Sequence, residues 1–358
     1  MTRVFLVFPL VLALATPILA APRRRSVMPP PLDPPCSMII GTSSVTFTHD
    51  EGRTLVPASV PLRGTSYTYG LTALLDTPRT LAAWHDDDLL ISSDAGCTWR
   101  TVATVTGADF PPFLTPARGG RLYAWSDSRT FLVRWDSRGA ATLKPPTELV
   151  GLRADANDAD HVRVAGSDGT IHESRDGGQT WTRIGQAPSS FLYRAAFDPQ
   201  NLDRVLVGTL VNGIHRSLDG GRTWTMSLGM PRQSNVFSVV ISPVDPNVVW
   251  AMGIDLTDSS KHIYLSRDGG ASFTRVVDAS AEVTLVNGPA MAAHPAIPDV
   301  LYFVFGTYFQ GYGTDLFRYD AATRTLTMTH NDNHDINAIA FSSDAPGVIY
   351  LGLEREDR

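Results

Sequence analysis

The side chains most suited to chemistry gather in the C-terminal third of the chain. Carboxylates, amides and aromatic rings occur together there, at Asp255, Tyr308, Phe309, Tyr312, Asp315, Asn331, Asp332, His334 and Asp335. Exposed rings beside amides and carboxylates suit stacking on a sugar or anchoring of a protein partner, so we predict that these residues bind a ligand. The alternative is that the rings only plug a channel or cover a sheet edge, and that residues 331–335 form an ordinary turn.

Paired carboxylates are also the machinery of glycoside hydrolysis, which needs two of them about 5 to 9 Å apart across the bond that is cleaved. Such a pair could come from Asp255, Asp315, Asp332 and Asp335, of which Asp315 and Asp332 are the catalytic candidates, and residues 86–88 add three more aspartates. His334 with Asp332 or Asp335 lacks the ligand spacing that is typical of zinc or calcium. We therefore predict no metal site and no cofactor.

A repeated turn determines which elements must position these residues. Its pattern is Ser-x-Asp-x-Gly-x-Thr-aromatic, with clear copies at 92–99, 174–181, 217–224 and 266–273. Residues 48–55 keep every polar position but end in Leu, and worn copies are expected at 135–139 and 318–323. Successive later copies start 43 and 49 residues apart, which is the length of one structural repeat. The count predicts seven repeats.

Each repeat also contains short alternating strands separated by Pro and Asp turns, as in 197–208 and 241–250. Four such strands per repeat predict an antiparallel meander, the composition of a propeller blade. The chain begins with the last two strands of a blade, around 39–58, and ends with the first two, around 336–353. We predict an all-β fold: a single seven-bladed β-propeller of four-stranded antiparallel blades, closed by the N- and C-terminal strands in one mixed blade.

The aspartates of the repeated turn have the right reach to bond to the turn's own backbone and hydroxyls. Equivalent turns spread around a ring cannot converge on one substrate, so we interpret these aspartates as structural rather than catalytic. They are Asp50, Asp94, Asp176, Asp219 and Asp268.

The turn resembles the Asp-box, or BNR repeat, of sialidases, sortilin-type receptors, xyloglucan-degrading glycosidases and photosystem II assembly factors. The resemblance covers nearly all of residues 37–353 and implies the fold, but these families have unrelated activities. In them the Asp-box joins the third and fourth strands, on the face opposite the usual binding surface. Here that surface would carry long loops, which we count as 13 residues after Gly253 and 12 after Gly306.

Two functions from different classes fit this arrangement. We favour a secreted, non-catalytic propeller that binds a protein or glycan partner through the face opposite the Asp-box turns. The alternative is an extracellular glycoside hydrolase, sialidase- or xyloglucanase-like, with paired carboxylates on that face. Against a sialidase, the chain has no Arg-Ile-Pro element before the repeats and the proposed face is poor in Arg. The xyloglucan enzymes usually have two propellers, and here we expect one.

The start of the chain predicts export. A short basic segment, an apolar run from Val4 to Ala15 and small residues up to Ala21 describe a secretory signal peptide over residues 1–20. We therefore expect a secreted or periplasmic protein without a transmembrane segment after cleavage. An uncleaved anchor is the alternative, but the apolar run is short for one. Residues 21–36, rich in Pro and Arg, predict a flexible lead-in to a propeller over residues 37–358.

Charge and cysteine content constrain the partners further. The formal net charge is −6 with scattered basic residues, which argues against a nucleic-acid partner, and we expect a monomer. Cys36 and Cys97 could pair in an oxidising compartment. However, Cys97 lies in a turn on one face whereas Cys36 should enter near the other, and this disfavours the bond.

Overall fold

The computed structural model describes residues 34–62, 66–106, 112–127, 131–288, 290–307, 313–332, 335–342 and 344–355. The predicted signal peptide and most of the lead-in lie outside these ranges. So do four of the predicted ligand-binding residues, Tyr308, Phe309, Tyr312 and His334. Within the described ranges no helix is long and apolar enough to cross a membrane.

The strands form seven four-stranded antiparallel sheets, here called blades 1 to 7. Blade 1 contains β1 (Val45–Thr48), β2 (Ser66–Tyr67), β27 (Asp335–Ser342) and β28 (Ala345–Arg355). Blade 2 contains β3 (Gly70–Ala73), β4 (Leu81–His85), β5 (Asp88–Ser92) and β6 (Arg100–Thr104). Blade 3 contains β7 (Phe113–Ala117), β8 (Arg121–Trp125), β9 (Leu132–Asp136) and β10 (Gly139–Thr142). Blade 4 contains β11 (Leu149–Ala154), β12 (Val162–Gly166), β13 (Thr170–Ser174) and β14 (Thr182–Gln186). Blade 5 contains β15 (Leu192–Asp198), β16 (Asn201–Thr209), β17 (Ile214–Ser217) and β18 (Thr225–Met226). Blade 6 contains β19 (Ser234–Ile241), β20 (Val249–Asp255), β21 (Lys261–Ser266) and β22 (Thr274–Asp278). Blade 7 contains β23 (Met291–Ala293), β24 (Val300–Thr307), β25 (Gly313–Asp320) and β26 (Thr325–Asn331).

The first strands of the blades contact one another in a closed cycle. It runs β27, β3, β7, β11, β15, β19, β23 and back to β27. Because blade 7 thus meets blade 1, the sheets surround a central channel as in a propeller. The predicted seven-bladed fold is confirmed.

Blade 1 closes the ring with strands from both ends of the chain, as predicted. β1 pairs with β28, with Val45 opposite Gly352 and Thr48 opposite Ile349. The fourth strand expected before residue 58 is reduced to two hydrogen bonds of Val56, whose N donates to Phe47 O and whose O accepts from Thr46 Oγ1. β2 instead pairs with the end of β28, beyond β1, so that β1 and β2 together occupy the position of the third strand.

The hydrophobic core lies in the seams between blades. The largest fully buried side chains include Trp84, Trp250, Tyr123 and Tyr350. Trp250 of blade 6 shares one cluster with side chains from the strands of blade 7, and each further cluster likewise joins two neighbouring blades. Burial of large rings between blades is the main stabilisation that a ring of small sheets can obtain.

Five turns between third and fourth strands carry the Asp-box hydrogen bonds. In blade 5, Ser217 Oγ donates to Asp219 Oδ1 at 2.7 Å, and Thr223 donates through N to Oδ1 at 2.9 Å and through Oγ1 to Oδ2 at 2.6 Å. Gly221 N donates to Ser217 Oγ at 2.8 Å. The equivalent carboxylates are Asp50, Asp94, Asp176 and Asp268.

The two worn copies occupy the expected place in their blades but lack this network. Asp136 accepts from the backbone N–H and the guanidinium of Arg138, and Asp320 accepts from Ala322 N and Thr323 N. Both are short hairpin turns in which only the aspartate still accepts backbone N–H groups of the turn. The blade count is therefore seven, although five of the blades have an Asp-box.

The cysteines are bonded, contrary to the expectation from the sequence. Cys36 and Cys97 form a disulfide across 61 residues of sequence. The expectation failed because the N-terminal segment runs beside the Asp-box turn of blade 2, where Ile40 N donates to Cys97 O at 2.8 Å. Both sulfur atoms thus lie on the same face.

Candidate functional site

The two faces of the ring are distinguished by which loops they carry. On the Asp-box face, the third-to-fourth-strand turns meet the first-to-second-strand loops, as where Gly177 N donates to Asp160 O. In an antiparallel meander the remaining loops and the links between blades must lie at the other ends of the strands. We call this other side the upper face.

At the upper end of blade 7, two of the predicted carboxylates bracket one histidine. His330 Nδ1 lies 2.6 Å from Asp315 Oδ1, and His330 Nε2 lies 3.0 Å from Asp332 Oδ1. The hydrogen bond to Asp315, and less so Asp332, raises the pKa of His330. Asp315 is 5% exposed, because it is part of β25 and not of a loop. The two carboxylates therefore face an imidazole rather than an open gap for a glycosidic bond.

The other predicted residues lie at strand ends. Asn331 ends β26 and Asp335 begins β27, so both are close to Asp332 along the chain. Asp255 ends β20 in blade 6, where its Oδ1 accepts from the backbone N–H and the hydroxyl of Thr257. The structure therefore groups Asp315, Asn331, Asp332 and Asp335, and it gives Asp255 a turn-capping contact of its own.

The insertions inferred from the sequence are mostly strand. β20 runs to Asp255 and β21 starts at Lys261, which leaves five residues between them instead of 13. β24 runs to Thr307 and β25 starts at Gly313. The loop lengths were overestimated because β25 is buried along its whole length, so it has no polar alternation to mark where it begins.

A chain of polar contacts at the upper end of blade 6 has the order of a catalytic triad. Ser260 Oγ lies 2.7 Å from His262 Nε2, and His262 Nδ1 lies 2.8 Å from Asp278 Oδ1. However, Ser260 Oγ donates to Asp258 Oδ1 at 2.5 Å, and a hydroxyl has a single proton to donate. Since Ser260 is committed to Asp258 and His262 is buried, the arrangement is suited to holding the loop rather than to nucleophilic attack.

Four aromatic residues that the sequence analysis did not single out surround the upper mouth of the channel. Tyr69 directly precedes β3, Phe113 begins β7, and Tyr193 and Phe237 occupy bulges near the start of β15 and β19. The ring centroids of Tyr193 and Phe237 are 4.4 Å apart, and those of Tyr69 and Phe113 are 6.4 Å apart. These residues are spread over 168 positions of sequence, and only their common place at the start of a first strand relates them.

The guanidinium of Arg194, the residue after Tyr193, lies against the Phe113 ring. Arg194 Cζ lies 4.5 Å from the centroid of the Phe113 ring, and Arg194 Nη2 lies 3.2 Å from Asp127 Oδ2. Burial lowers the pKa of Arg194, and Asp127 opposes this effect. Arg194 reaches past blade 4, whose first strand has Gly151 at the corresponding register position. The expectation of an Arg-poor face thus misses one arginine at its centre.

Exposed apolar side chains continue from the channel mouth across blades 4 to 6. Phe191 is 67% exposed, Val211 42% and Leu256 40%, and Tyr193 lies beside them at 37%. Backbone hydrogen bonds tie the loops that carry them: Leu210 N to Phe191 O, Ser234 N to Val211 O, and Leu256 N to Gln233 O. We call Phe191, Tyr193, Val211 and Leu256 the apolar rim. Contiguous exposed apolar groups of this kind mark interaction surfaces.

No group of three or more His, Cys, Asp or Glu side chains in the part of the chain that the structure describes could hold a metal ion. The chemistry available on the upper face is stacking, apolar contact and pairing with Arg194 or with the carboxylates of blade 7.

Comparison with known proteins agrees with this architecture. The model of the Sortilin-Vps10 family (sortilin, neurotensin receptor 3) matches residues 169–298. The solved GH74 enzyme of Niastella koreensis superposes with a TM-score of 0.63 at 13% identity, covering 82% of this chain and 52% of that one. YCF48 bound to D1 peptide superposes with a TM-score of 0.59 at 11% identity, covering 90% and 100%. At such identities these likenesses show the fold alone.

One relative is much more similar in sequence. The dispase autolysis-inducing protein of Streptomyces mobaraensis is 46% identical over 336 residues, which cover 90% of this chain and 89% of that protein. Identity of this level over nearly the whole length places the two chains in one family. This chain is an Asp-box (BNR) β-propeller and belongs to the family of the dispase autolysis-inducing protein.

Proposed function

We propose that this chain is a secreted, monomeric, non-catalytic binding protein whose partner is a protease, engaged through the upper face. The observation that carries the proposal is the apolar rim, which is continuous with the aromatic mouth of the channel. Aromatic residues and arginine dominate binding energy where they lie at the centre of an interface. Tyr193, Phe237 and Arg194 occupy that central place here.

The relative supplies the class of partner. Its name states that it induces autolysis of dispase, and a protein that induces the self-cleavage of a protease must influence that protease. Direct contact is the simplest way to do so. YCF48, which shares the fold, has been solved with a bound peptide, so this architecture accommodates polypeptide ligands.

A protein partner fits the rim better than a glycan does. Phe191, Val211 and Leu256 are exposed apolar side chains, whereas sugar sites combine stacking rings with dense polar contacts. The hydrolase alternative is not favoured, because His330 lies between Asp315 and Asp332. The disulfide supports export, because structural disulfides persist in oxidising compartments.

Dispase itself is the probe for a test. The purified chain should bind dispase and speed its conversion to autolysis fragments, followed by gel electrophoresis and residual protease activity. Phe191→Asp should weaken binding roughly 30-fold, the effect of losing an interface hot spot. Leu218→Asp is the matched control, because Leu218 is 57% exposed on the Asp-box turn of blade 5. Equal loss of binding in both variants, or no binding by the unmodified chain, would contradict the proposal.

A further inference from the structure

Two seams between blades are closed by an extended apolar segment of the chain itself. Between blades 1 and 2, Ile40 N donates to Cys97 O at 2.8 Å and Trp99 N donates to Ile40 O at 2.9 Å. Between blades 5 and 6, Leu228 forms the same pair of hydrogen bonds, with Ala271 O and Phe273 N. In both cases the segment lies parallel to the Asp-box residues of the following blade. The Asp-box face therefore has built-in positions for an added peptide.

The seam between blades 6 and 7 is packed in its interior but open at the Asp-box face. A crevice of about 1140 Å³ runs there between β22 and the 319–324 turn of blade 7. That turn is a worn copy, with Ala322 at the Gly position, Arg324 at the Thr position and Thr325 at the aromatic position. The other worn turn, in blade 3, also borders a crevice, of about 350 Å³.

The crevice combines an apolar lining with one arginine side chain that has no ion-pair partner among the described residues. Leu265, Val276 and Ile297 contribute the apolar lining. Two of its arginines are paired, Arg267 with Asp299 at 2.5 Å and Arg275 with Asp278 at 3.0 Å. Arg324 makes no hydrogen bond or ion pair within the described ranges of the chain, and it is exposed.

Asp268, which also lines the crevice, forms no ion pair with Arg324. Its carboxylate accepts from Ser266 Oγ, Ser272 N and Ser272 Oγ inside its own turn. Asp299 is likewise held by Arg267. The site is therefore suited to an apolar ligand with a single negative charge, which would pair with Arg324.

We propose that this crevice binds an extended apolar segment of a partner polypeptide that carries one Asp or Glu. The backbone would add beside the blade 7 turn as residues 36–41 add beside the Asp-box of blade 2, and the carboxylate would pair with Arg324. The site lies on the Asp-box face, so it is separate from the upper face and does not depend on the function proposed for it.

The chain's own seam segment supplies the probe. Fluorescein-labelled peptides with an amidated C-terminus and the sequence Ser-Met-Ile-Ile-Gly, that of residues 37–41, are made with Glu or Gln in place of the first Ser. Fluorescence polarisation then gives their dissociation constants. The Glu peptide should bind about tenfold more tightly than the Gln peptide, the size of one charge-assisted hydrogen bond at a partly exposed site.

Three variants make the test specific. Arg324→Ala should abolish the preference for Glu and leave the affinity for the Gln peptide unchanged. Arg222→Ala, on the intact Asp-box turn of blade 5, should keep the full preference. Ala322→Trp should fill the crevice and block both peptides. The proposal is overturned if neither peptide binds at millimolar concentration, or if Arg324→Ala retains the preference for Glu.

Discussion

Four of the Asp-box aspartates are half-buried and Asp268 is exposed, and each turn is organised around the charge of its aspartate. Asp219 accepts from the hydroxyl and backbone N–H of Thr223, the hydroxyl of Ser217 and the backbone N–H of Arg222. These bonds, that of the Thr223 hydroxyl first, hold the pKa of Asp219 far below its usual range. A carboxylate that receives this many donors stays ionised and fixes the turn in one conformation.

We predict that acid weakens all five turns together. At Asp268 burial raises the pKa, but hydrogen bonds from Ser272 and Ser266 outweigh it and lower the pKa from 3.8 to about 2. Because the folded pKa lies below the unfolded one, the stabilisation is complete above pH 4 and is lost as the pH falls towards 2. At Asp268, solvent screening limits the contribution to about 1 kcal/mol or less.

Thermal unfolding followed by circular dichroism between pH 6 and pH 2.5 measures this effect. The melting temperature should fall most steeply below pH 4. Asp268→Asn is the control, since an amide at this position cannot titrate. Its melting temperature should be lower at pH 6 and should depend less on pH than that of the unmodified chain. The same pH dependence in both proteins would show that Asp268 makes no contribution.

At the scale of elements, the Asp-box turn is a contact between blades. The glycine of its pattern lies against the preceding blade, and Gly270 of blade 6 faces Leu206 of blade 5. Gly270 has a φ of +85°, which favours glycine, and a Cβ there would come within 2.1 Å of Leu206 Cδ2. The glycine is therefore required for two reasons, the backbone conformation and the close approach of the next sheet.

Two alanine substitutions separate these reasons. Gly119 has a φ of +70°, but an added Cβ would meet nothing within 4 Å. Gly119→Ala should therefore cost about 1 kcal/mol of unfolding free energy, the conformational term alone. Gly270→Ala should cost roughly 2 to 4 kcal/mol, because Leu206 must also move. Urea denaturation measures both losses of unfolding free energy. Equal losses would mean that the close approach of Leu206 does not affect stability.

Sequence periodicity predicts the existence of the strands and turns better than it predicts where the strands begin and end. The Asp-box residues supply a repeated local pattern, and for this reason the blades and the turn positions could be counted. Asp315 was assigned to a loop because its strand is buried on both sides and shows no alternation. Tyr193 and Phe237 could not be grouped, because their common position depends on the register of two bulged strands.

At the scale of the whole molecule, two links close the ring. β1 and β28 complete blade 1, and the disulfide between Cys36 and Cys97 ties the N-terminal segment to blade 2. The first link follows from counting strands at the two ends of the sequence. The second could not be predicted, since it depends on which face the segment before β1 follows, and no repeat pattern covers that segment.

We predict that the disulfide contributes about 2 to 5 kcal/mol to the free energy of unfolding, as expected for a loop of this length. The Cys36→Ser, Cys97→Ser double variant should unfold at a correspondingly lower urea concentration than the oxidised protein. Reductant should lower the midpoint of the unmodified chain to that of the double variant. An identical midpoint for the oxidised chain and the double variant would refute the prediction.

The closing ladder also determines how the molecule would respond to mechanical force. The chain enters β1 at Val45, opposite Gly352, and leaves β28 past Arg355, so both ends emerge from the same end of the ladder. Tension applied there would separate the pairs one after another, as in opening a zipper. With the disulfide intact, however, a pull on the N-terminal side passes through Cys36 into blade 2 and does not reach β1. Reduction of the disulfide alone would thus allow tension to separate β1 from β28 and open the ring.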